Sequence, residues 1–378
     1  MLTPLGLATA AGSAALYAAG WWLGYPEPAA LGAAGLAASA GALLWTLPRP
    51  RLEVRREIAP EKVARGEPAV GVLHVTNAGR AVRGGLAARD TAGSEPVAVD
   101  LPRMRSGARR TVTYRLSTAR RGEIPVGPLR LVRADPLGLA RRVRSYGTPR
   151  TLLVRPRTVP LGLLPSGRAH HLEGPTSEKS PAGTATFHAL REYVVGDELR
   201  HVHWKSSART GTLMVRRLVD ASLPTTTVLV DDRAAAWRDP DDFELAVDVA
   251  ASVAVGAARA SFPVRVLAAS GPVAATRGGP GDAETVLDRL TRLALDPGGD
   301  RSVTDALRGA PGGGSLVVVV QDGAALARLG AVRARYDRVV ALRVRPGDGA
   351  PVPPGVQAAE VADLDALKAA WPLLGRGR

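Results

Sequence analysis

Cysteine is absent from all 378 residues. Disulfides and thiolate-held zinc are therefore excluded, and a reducing compartment is the natural setting. Acidic residues fall short of basic ones, 35 against 50, and the basic residues are almost all arginine. Also missing are the signatures of common chemistries. No Gly-Lys-Ser/Thr ends the glycine breaks at Gly174 or Gly183, so there is no phosphate loop. Ser206 and Ser207 lie in no Gly-x-Ser-x-Gly elbow. No helix-turn-helix pattern, zinc-ligand spacing or row of aromatics accompanies the arginines, so nucleic acid is not an expected partner.

The excess positive charge is concentrated. Residues 51–165 hold 23 basic and 9 acidic side chains, a net of +14, nearly the whole formal charge of +15. An anionic membrane surface attracts such a segment by about 1 kcal/mol per basic residue near it. The lipid bilayer is accordingly the first expected partner.

Two uncharged runs supply the means of reaching it. Leu5 to Leu23 and Pro28 to Leu47 are each long enough to cross about 30 Å of hydrocarbon as a helix. Gly24-Tyr25-Pro26-Glu27 is a turn between them, which predicts a transmembrane helical hairpin over residues 1–50. Small residues recur every fourth position, at Gly6, Ala10, Ala14 and Ala18, then at Ala29, Ala33, Ala37 and Gly41. Such rows are expected to form the helix–helix contact. A signal peptide is disfavoured, because no basic residue precedes the first run and a second run follows. A hairpin buried in a soluble protein is the alternative for so alanine-rich a pair. Arg49, Arg51, Arg55 and Arg56 follow the second run, and positive charge stays inside. The expected location is the plasma membrane, multi-pass, with the soluble domains cytoplasmic.

Residues 51–165 show short alternating runs separated by glycine and proline breaks. Val70 to Thr76, Arg110 to Leu116, Leu129 to Val132 and Leu152 to Val154 read as strands, which predicts a β-sandwich of immunoglobulin-like layout. Residues 166–224 form a linker and a distinctive stretch. Residues 225–378 then alternate strand and helix, predicting a mostly parallel sheet covered on both faces. Strands are expected at Thr225 to Val230, Val264 to Ala269, Leu316 to Val320 and Arg338 to Val344. Helices are expected at Phe243 to Ala260, Glu284 to Leu295, Val303 to Leu307 and Leu364 to Trp371. Asp239 caps the first, with Pro240 at its first position, and Pro372 stops the last.

The distinctive stretch runs from Phe187 to Arg217. Arg191, Arg200 and Arg209 are spaced nine apart, with Asp197, Glu198, Trp204 and Lys205 between them. Gly196-Asp197 is a turn signal. If the segment after it is extended, Arg200, Val202 and Trp204 share one face and His201, His203 and Lys205 the other. These are materials for an ion-pair node or a recognition surface. His201-x-His203 has no third ligand nearby, so no metal is expected there.

The pattern Arg191-x-Tyr193-x-x-Gly196-Asp197-x-x-Arg200-x-Val202-x-Trp204-x-x-x-Ala208-Arg209 resembles the signature of the bacterial domain-of-unknown-function family 58. Arg120-Arg121-Gly122 to Gly127-Pro128, Asp135-Pro136-Leu137-Gly138-Leu139 and Val154-Arg155-Pro156 are similar to segments that precede it in that family. The resemblance implies a membrane-anchored protein, a von Willebrand factor A-like fold at the C-terminal end, and a MoxR-type AAA+ ATPase as partner. It supplies no activity. In von Willebrand A domains an Asp-x-Ser-x-Ser loop holds magnesium. Here the equivalent loop reads Asp231-Asp232-Arg233-Ala234-Ala235, with Asp322 after a later strand. Arg233 brings positive charge where the cation would sit and Ala235 offers no oxygen, so neither metal nor cofactor is expected.

The leading expectation is a membrane-tethered cytoplasmic scaffold, with Arg191, Tyr193, Gly196, Asp197, Arg200, Trp204 and Arg209 as its interaction or structural signature. The alternatives are a hydrolase using His201 or His203 with Asp197, and a purely structural membrane-surface protein.

Overall fold

The structure, a computed structural model, describes residues 1–47, 51–79, 86–93, 95–99, 104–164, 185–194, 202–220, 223–321, 323–347 and 349–375. Two compact units divide the chain, Met1–Arg155 and Pro156–Arg378.

The first unit opens with two antiparallel helices, α1 (Pro4–Leu23) and α2 (Pro26–Thr46). Thr3 starts α1 by accepting the Gly6 N–H at 3.0 Å through Oγ1, with proline at the first helical position. Gly24, at φ 73°, ends it in the left-handed conformation that glycine takes without a Cβ penalty. Among the described residues α2 is the helix that is long and apolar enough to cross a membrane. The contact between the two helices differs from the expected four-residue rows. Gly20 lies against Ala29, Gly32 against Ser13 and Tyr17, and Gly35 against Ser13, so Ala29 is the one member of the rows seen in this contact, whereas Ala14, Ala18, Ala33, Ala37 and Gly41 are exposed. A step of four overshoots a 3.6-residue turn by about 40°, so a strict row leaves the seam within two turns.

Ten strands follow: β1 (Leu52–Ala59), β2 (Lys62–Ala64), β3 (Ala69–Asn77), β4 (Leu86–Ala92), β5 (Glu95–Val99), β6 (Arg109–Leu116), β7 (Gly122–Val126), β8 (Leu129–Ala134), β9 (Arg141–Tyr146) and β10 (Arg150–Arg155). One sheet has the order β1-β3-β6, the other β2-β10-β7-β4-β8-β9 with β5 beside β4. Alternation aims Leu73 and Val75 of β3 into the same core as Val126, Leu129, Leu131, Leu152 and Val154 of the larger sheet.

A charged group crosses that core. Arg56 on β1 donates from Nη2 to both carboxylate oxygens of Asp90 on β4, at 2.8 Å each, and from Nη1 to the Thr148 carbonyl at 2.8 Å. The Tyr114 hydroxyl donates to the same carboxylate. Burial, then the hydrogen bond to Asp90 and its negative charge, push the Tyr114 phenol up, so it stays protonated and donating. Gly127, at φ 95°, lies against the guanidinium, where any Cβ would overlap it. Arg56 thus belongs to the interior and does not join Arg51 and Arg55 as positive charge beside the second helix.

The Asp135–Leu139 motif seats the helices on this unit. Asp135 accepts the Leu137 N–H at 2.9 Å and the Ala140 N–H at 2.5 Å. Burial alone would raise its carboxyl, but the backbone N–H groups of Ala140, Leu137 and Leu139 outweigh that and hold it below the usual range. The loop then receives the start of the chain. Thr3 donates from its backbone N–H to the Leu139 carbonyl at 2.9 Å and from Oγ1 to the Gly138 carbonyl at 2.7 Å. Leu139 and Ala140 pack with Leu2, Ala38 and Ala42, and Gly6 lies so close to Leu139 that a side chain there would overlap the Leu139 carbonyl.

The second unit contains a hairpin of β11 (Ala185–Glu192) and β12 (Met214–Asp220), with α3 (Trp204–Thr210) between them. It continues with β13 (Thr226–Val230), α4 (Pro240–Arg259), β14 (Val264–Ala268), β15 (Gly271–Ala275), α5 (Asp282–Thr291), α6 (Val303–Arg308), β16 (Ser315–Val320), α7 (Gly323–Ala327), β17 (Arg338–Val344), β18 (Gln357–Val361) and α8 (Leu364–Gly375). The sheet order is β15-β14-β13-β16-β17-β18, parallel except for β15. The period of two divides each strand between two cores. Val228, Val230, Val317, Val319, Val340 and Leu342 meet α4, α5 and α8 on one face. Leu229, Val318, Val320, Val339 and Ala341 meet Leu307, Leu326 and Leu329 on the other. Both faces are covered, which is why these strands read as continuous apolar runs.

Asp239 caps α4 by accepting the Asp241 N–H at 2.8 Å, with Pro240 at the first position, as the sequence indicates. The last helix differs, since it continues through Pro372 to Gly375. The proline forfeits one hydrogen bond near the helix end, while Trp371 and Leu374 on either side are buried. Residues 156–164 lie across α4. The fully buried Asp248 accepts the Arg157 backbone N–H and Nε–H, both at 2.8 Å, and Ser252 Oγ accepts the Val159 N–H at 3.1 Å.

Removing one partner of a buried ion pair leaves an uncompensated charge. Arg56→Met is expected to lower unfolding free energy by about 3–5 kcal/mol in denaturant titration of the full chain. An unchanged midpoint would show that Asp90 does not depend on Arg56.

Candidate functional site: the signature hairpin and the carboxyl edge of the sheet

The family-signature residues fall around the β11–β12 hairpin. Arg191 pairs in register with Val215, and the Tyr193 N–H donates to the Leu213 carbonyl at 2.8 Å. Val202 is buried and bridges Val215 from the other side of β12. Gly196, Asp197, Arg200 and His201 lie outside the described residues.

The extended reading of 199–205 fails after Val202. Trp204 and Lys205 begin α3, and His203 is its N-cap. His203 Nδ1 accepts the Ser206 N–H at 3.2 Å and sits 2.8 Å from the Ser206 hydroxyl. Ser207 Oγ donates to the His203 carbonyl at 3.2 Å and accepts the Met214 N–H at 2.8 Å, tying the helix to the start of β12. The polar groups of His203, Ser206 and Ser207 thus satisfy helix and strand ends. Trp204 is left 67 % exposed at the head of the helix, with Val194 and Leu213 also exposed and Arg209 exposed in its last turn. Ser206-Ser207 after a histidine was the available sign that a helix begins there.

At the carboxyl edge of the parallel sheet, Asp231 follows β13 fully buried. Arg233 donates to it from Nε (to Oδ1, 2.8 Å) and Nη2 (to Oδ2, 2.6 Å), and its backbone N–H reaches Oδ1 at 3.3 Å. Both oxygens that a cation would take are thereby engaged by a guanidinium. The Trp237 indole N–H donates to the Asp231 carbonyl at 2.7 Å. Ala235 lies in a short 3-10 turn, Ala234–Ala236. Asp232 turns to Ser270, accepting its backbone N–H at 3.1 Å and its hydroxyl at 2.5 Å. Asp322 lies outside the described residues. Among the described residues no group of three His, Cys, Asp or Glu side chains is placed to hold a metal.

The neighbouring strand ends are joined in the same way. Gln321, buried after β16, accepts the Arg238 N–H at 2.8 Å and donates to Asp242 at 2.8 Å. Asp242 also accepts from Arg345 at 3.1 Å. This Gln321–Asp242–Arg345 knot has no local sequence signal, since its members are 79 and 103 residues apart. Beside Arg233 a cleft of about 260 Å³ is lined by Ser270, Asp296 and residues 298–301. Its two arginines and two aspartates balance, so it favours neither sign of ligand.

The chain is therefore a mixed α/β protein that adds a β-sheet unit with an N-terminal apolar helix to a doubly covered, mostly parallel sheet. Residues 189–362 match the model of the family described as "Protein of unknown function DUF58". That segment runs from β11 through β18. No curated protein matches the chain. Among solved structures, the CARDB domain of a Pyrococcus furiosus protein, determined with two metal ions, is 16 % identical; the match covers 29 % of this chain and 96 % of that one with a TM-score of 0.22. A β-glucosidase from Listeria innocua, in complex with gluconolactone, is 12 % identical over 26 % of this chain and 16 % of its own, with a TM-score of 0.16. Scores this low define no shared fold and say nothing of activity.

Because Arg233 holds the Asp231 carboxylate, magnesium titrated calorimetrically into the full chain should give no saturable heat. A saturable heat abolished by Asp231→Ala would contradict this occupancy.

Proposed function

We propose that this protein is a membrane-tethered cytoplasmic scaffold that presents its signature hairpin to a protein partner. The observation that carries the reading is Trp204. A large aromatic, mostly exposed on a helix capped by His203 and tied to β12 through Ser207, is the kind of side chain that anchors interfaces.

The tether is a two-span hairpin in this reading. Helix α2, at 21 residues, is about 32 Å long and matches the hydrocarbon thickness. Helix α1 packs along it so closely that Cβ atoms on Gly20, Gly32 or Gly35 would overlap the opposite helix, so both would share the bilayer. Arg49, Arg51 and Arg55 after α2 then favour a cytoplasmic soluble part, with the basic β unit next to anionic headgroups.

The strand order of the second unit, with an aspartate closing the first parallel strand, is consistent with a von Willebrand A-like domain whose cation position is taken by Arg233. Such a domain would bind a partner through its surface and not through a shared metal. The partner to test first is the MoxR-type AAA+ ATPase that the family resemblance implies. The hydrolase reading has less support, since His203 is engaged as a helix cap.

Purified MoxR-type ATPase should bind the detergent-solubilised full chain, and Trp204→Ala should weaken that binding by about tenfold or more, as loss of an interface anchor does. Equal binding by wild type and Trp204→Ala would contradict the assigned surface.

A further inference from the structure

The loop from Asp135 to Ala140 exposes Leu137 to the extent of 64 %, although Leu139 two residues later is buried. A leucine held out by a floppy loop would mean little. This loop is fixed by the two N–H groups donated to Asp135 and by the Thr3 bonds to Gly138 and Leu139. Its neighbours on α2 are Ala38 and Ala42, eight and four residues before Thr46. At 1.5 Å per residue they lie about 12 and 6 Å inside the end of that helix. With α2 spanning the hydrocarbon, those two positions lie among the outer acyl chains, while Met1, whose carbonyl accepts the Arg141 N–H at 3.0 Å, precedes α1 and lies outside them. The chain from Leu139 to Arg141 therefore passes from the acyl boundary to the headgroup layer.

Its surroundings suit that depth. An open groove of about 630 Å³ adjoins the loop, lined by residues 1–4 and 141–143. Its charged side chains, Arg141 and Arg142, are both cationic, and Val143 at its edge is half exposed. Apolar tips flanked by arginine suit the acyl boundary and a lipid phosphate respectively.

We propose that the Asp135–Ala140 loop is an interfacial element: Leu137 enters the acyl boundary while Arg141 and Arg142 hold the headgroup phosphate of an anionic phospholipid. This rests on the transmembrane reading of the hairpin and adds to it a particular point of lipid contact on the β unit.

The absence of cysteine allows a single thiol to be placed at will. Leu137→Cys, labelled with an environment-sensitive fluorophore on the full chain, is reconstituted in vesicles of phosphatidylcholine alone or mixed with phosphatidylglycerol. The expected result is blue-shifted emission in the mixed vesicles, quenched more by a spin label near the headgroup than by one deep in the chains. Arg141→Gln with Arg142→Gln should return that emission to its value in phosphatidylcholine. Leu31→Cys on α2, also exposed, serves as the reference for the span. Quenching at Leu31→Cys with a water-like signal at Leu137→Cys would overturn the loop's role and leave the anchor standing. Loss of quenching at both positions would overturn both. Insertion unaffected by phosphatidylglycerol or by the arginine substitutions would overturn the anionic-lipid contact.

Discussion

The carboxylate of Asp135 is the point on which the first unit turns. By accepting the N–H groups of Leu137 and Ala140 it fixes a loop whose remaining carbonyls receive Thr3, the cap of α1. The helices and the β strands are thus joined through backbone hydrogen bonds and a small apolar contact. In the proposed anchor, the placement of the basic strands beside a bilayer depends on that joint. The motif containing Asp135 precedes the matched family segment and lies within the first unit.

A second regularity concerns arginine. Asp90, Asp231 and Asp248 are fully buried acids, and each is met by a guanidinium: Arg56, Arg233 and Arg157. Burial of a carboxylate is costly unless paired and hydrogen-bonded, and the planar fork of arginine can satisfy both oxygens. Part of the arginine surplus therefore serves the interior. At Asp231 the same device leaves both carboxylate oxygens bound within the chain. A positive net charge read from composition overstates what the surface offers; Arg56 is the clearest case.

How far these features were legible depends on whether their causes are local. The Asp239-Pro240 cap, the strand at Val70 to Thr76 and the apolar runs at Thr225 to Val230 and Leu316 to Val320 rest on neighbours or on periodicity, and the structure has the cap and strands β3, β13 and β16 there, within a residue or so at their ends. Strands β7 and β9 were missed because Gly122-Glu-Ile-Pro-Val and Arg141-Arg-Val-Arg-Ser-Tyr carry weak strand propensity and gain their place from pairing partners. The helix at Trp204 is not announced locally, since alternation over so few residues suits an extended segment equally well. The small-residue rows failed through a drift of 40° per step. Asp248, an acid in the middle of an apolar helix, was a visible oddity; its partner, 91 residues away, was not.

The central claim is that the paired helices lodge the whole chain in a bilayer. Its most direct test is fractionation of cells making the full-length protein, with membranes washed in high salt and then in alkaline carbonate. The account predicts that the protein stays with the sedimented membranes through both washes and is released by detergent. Its appearance in the supernatant after either wash would contradict the claim.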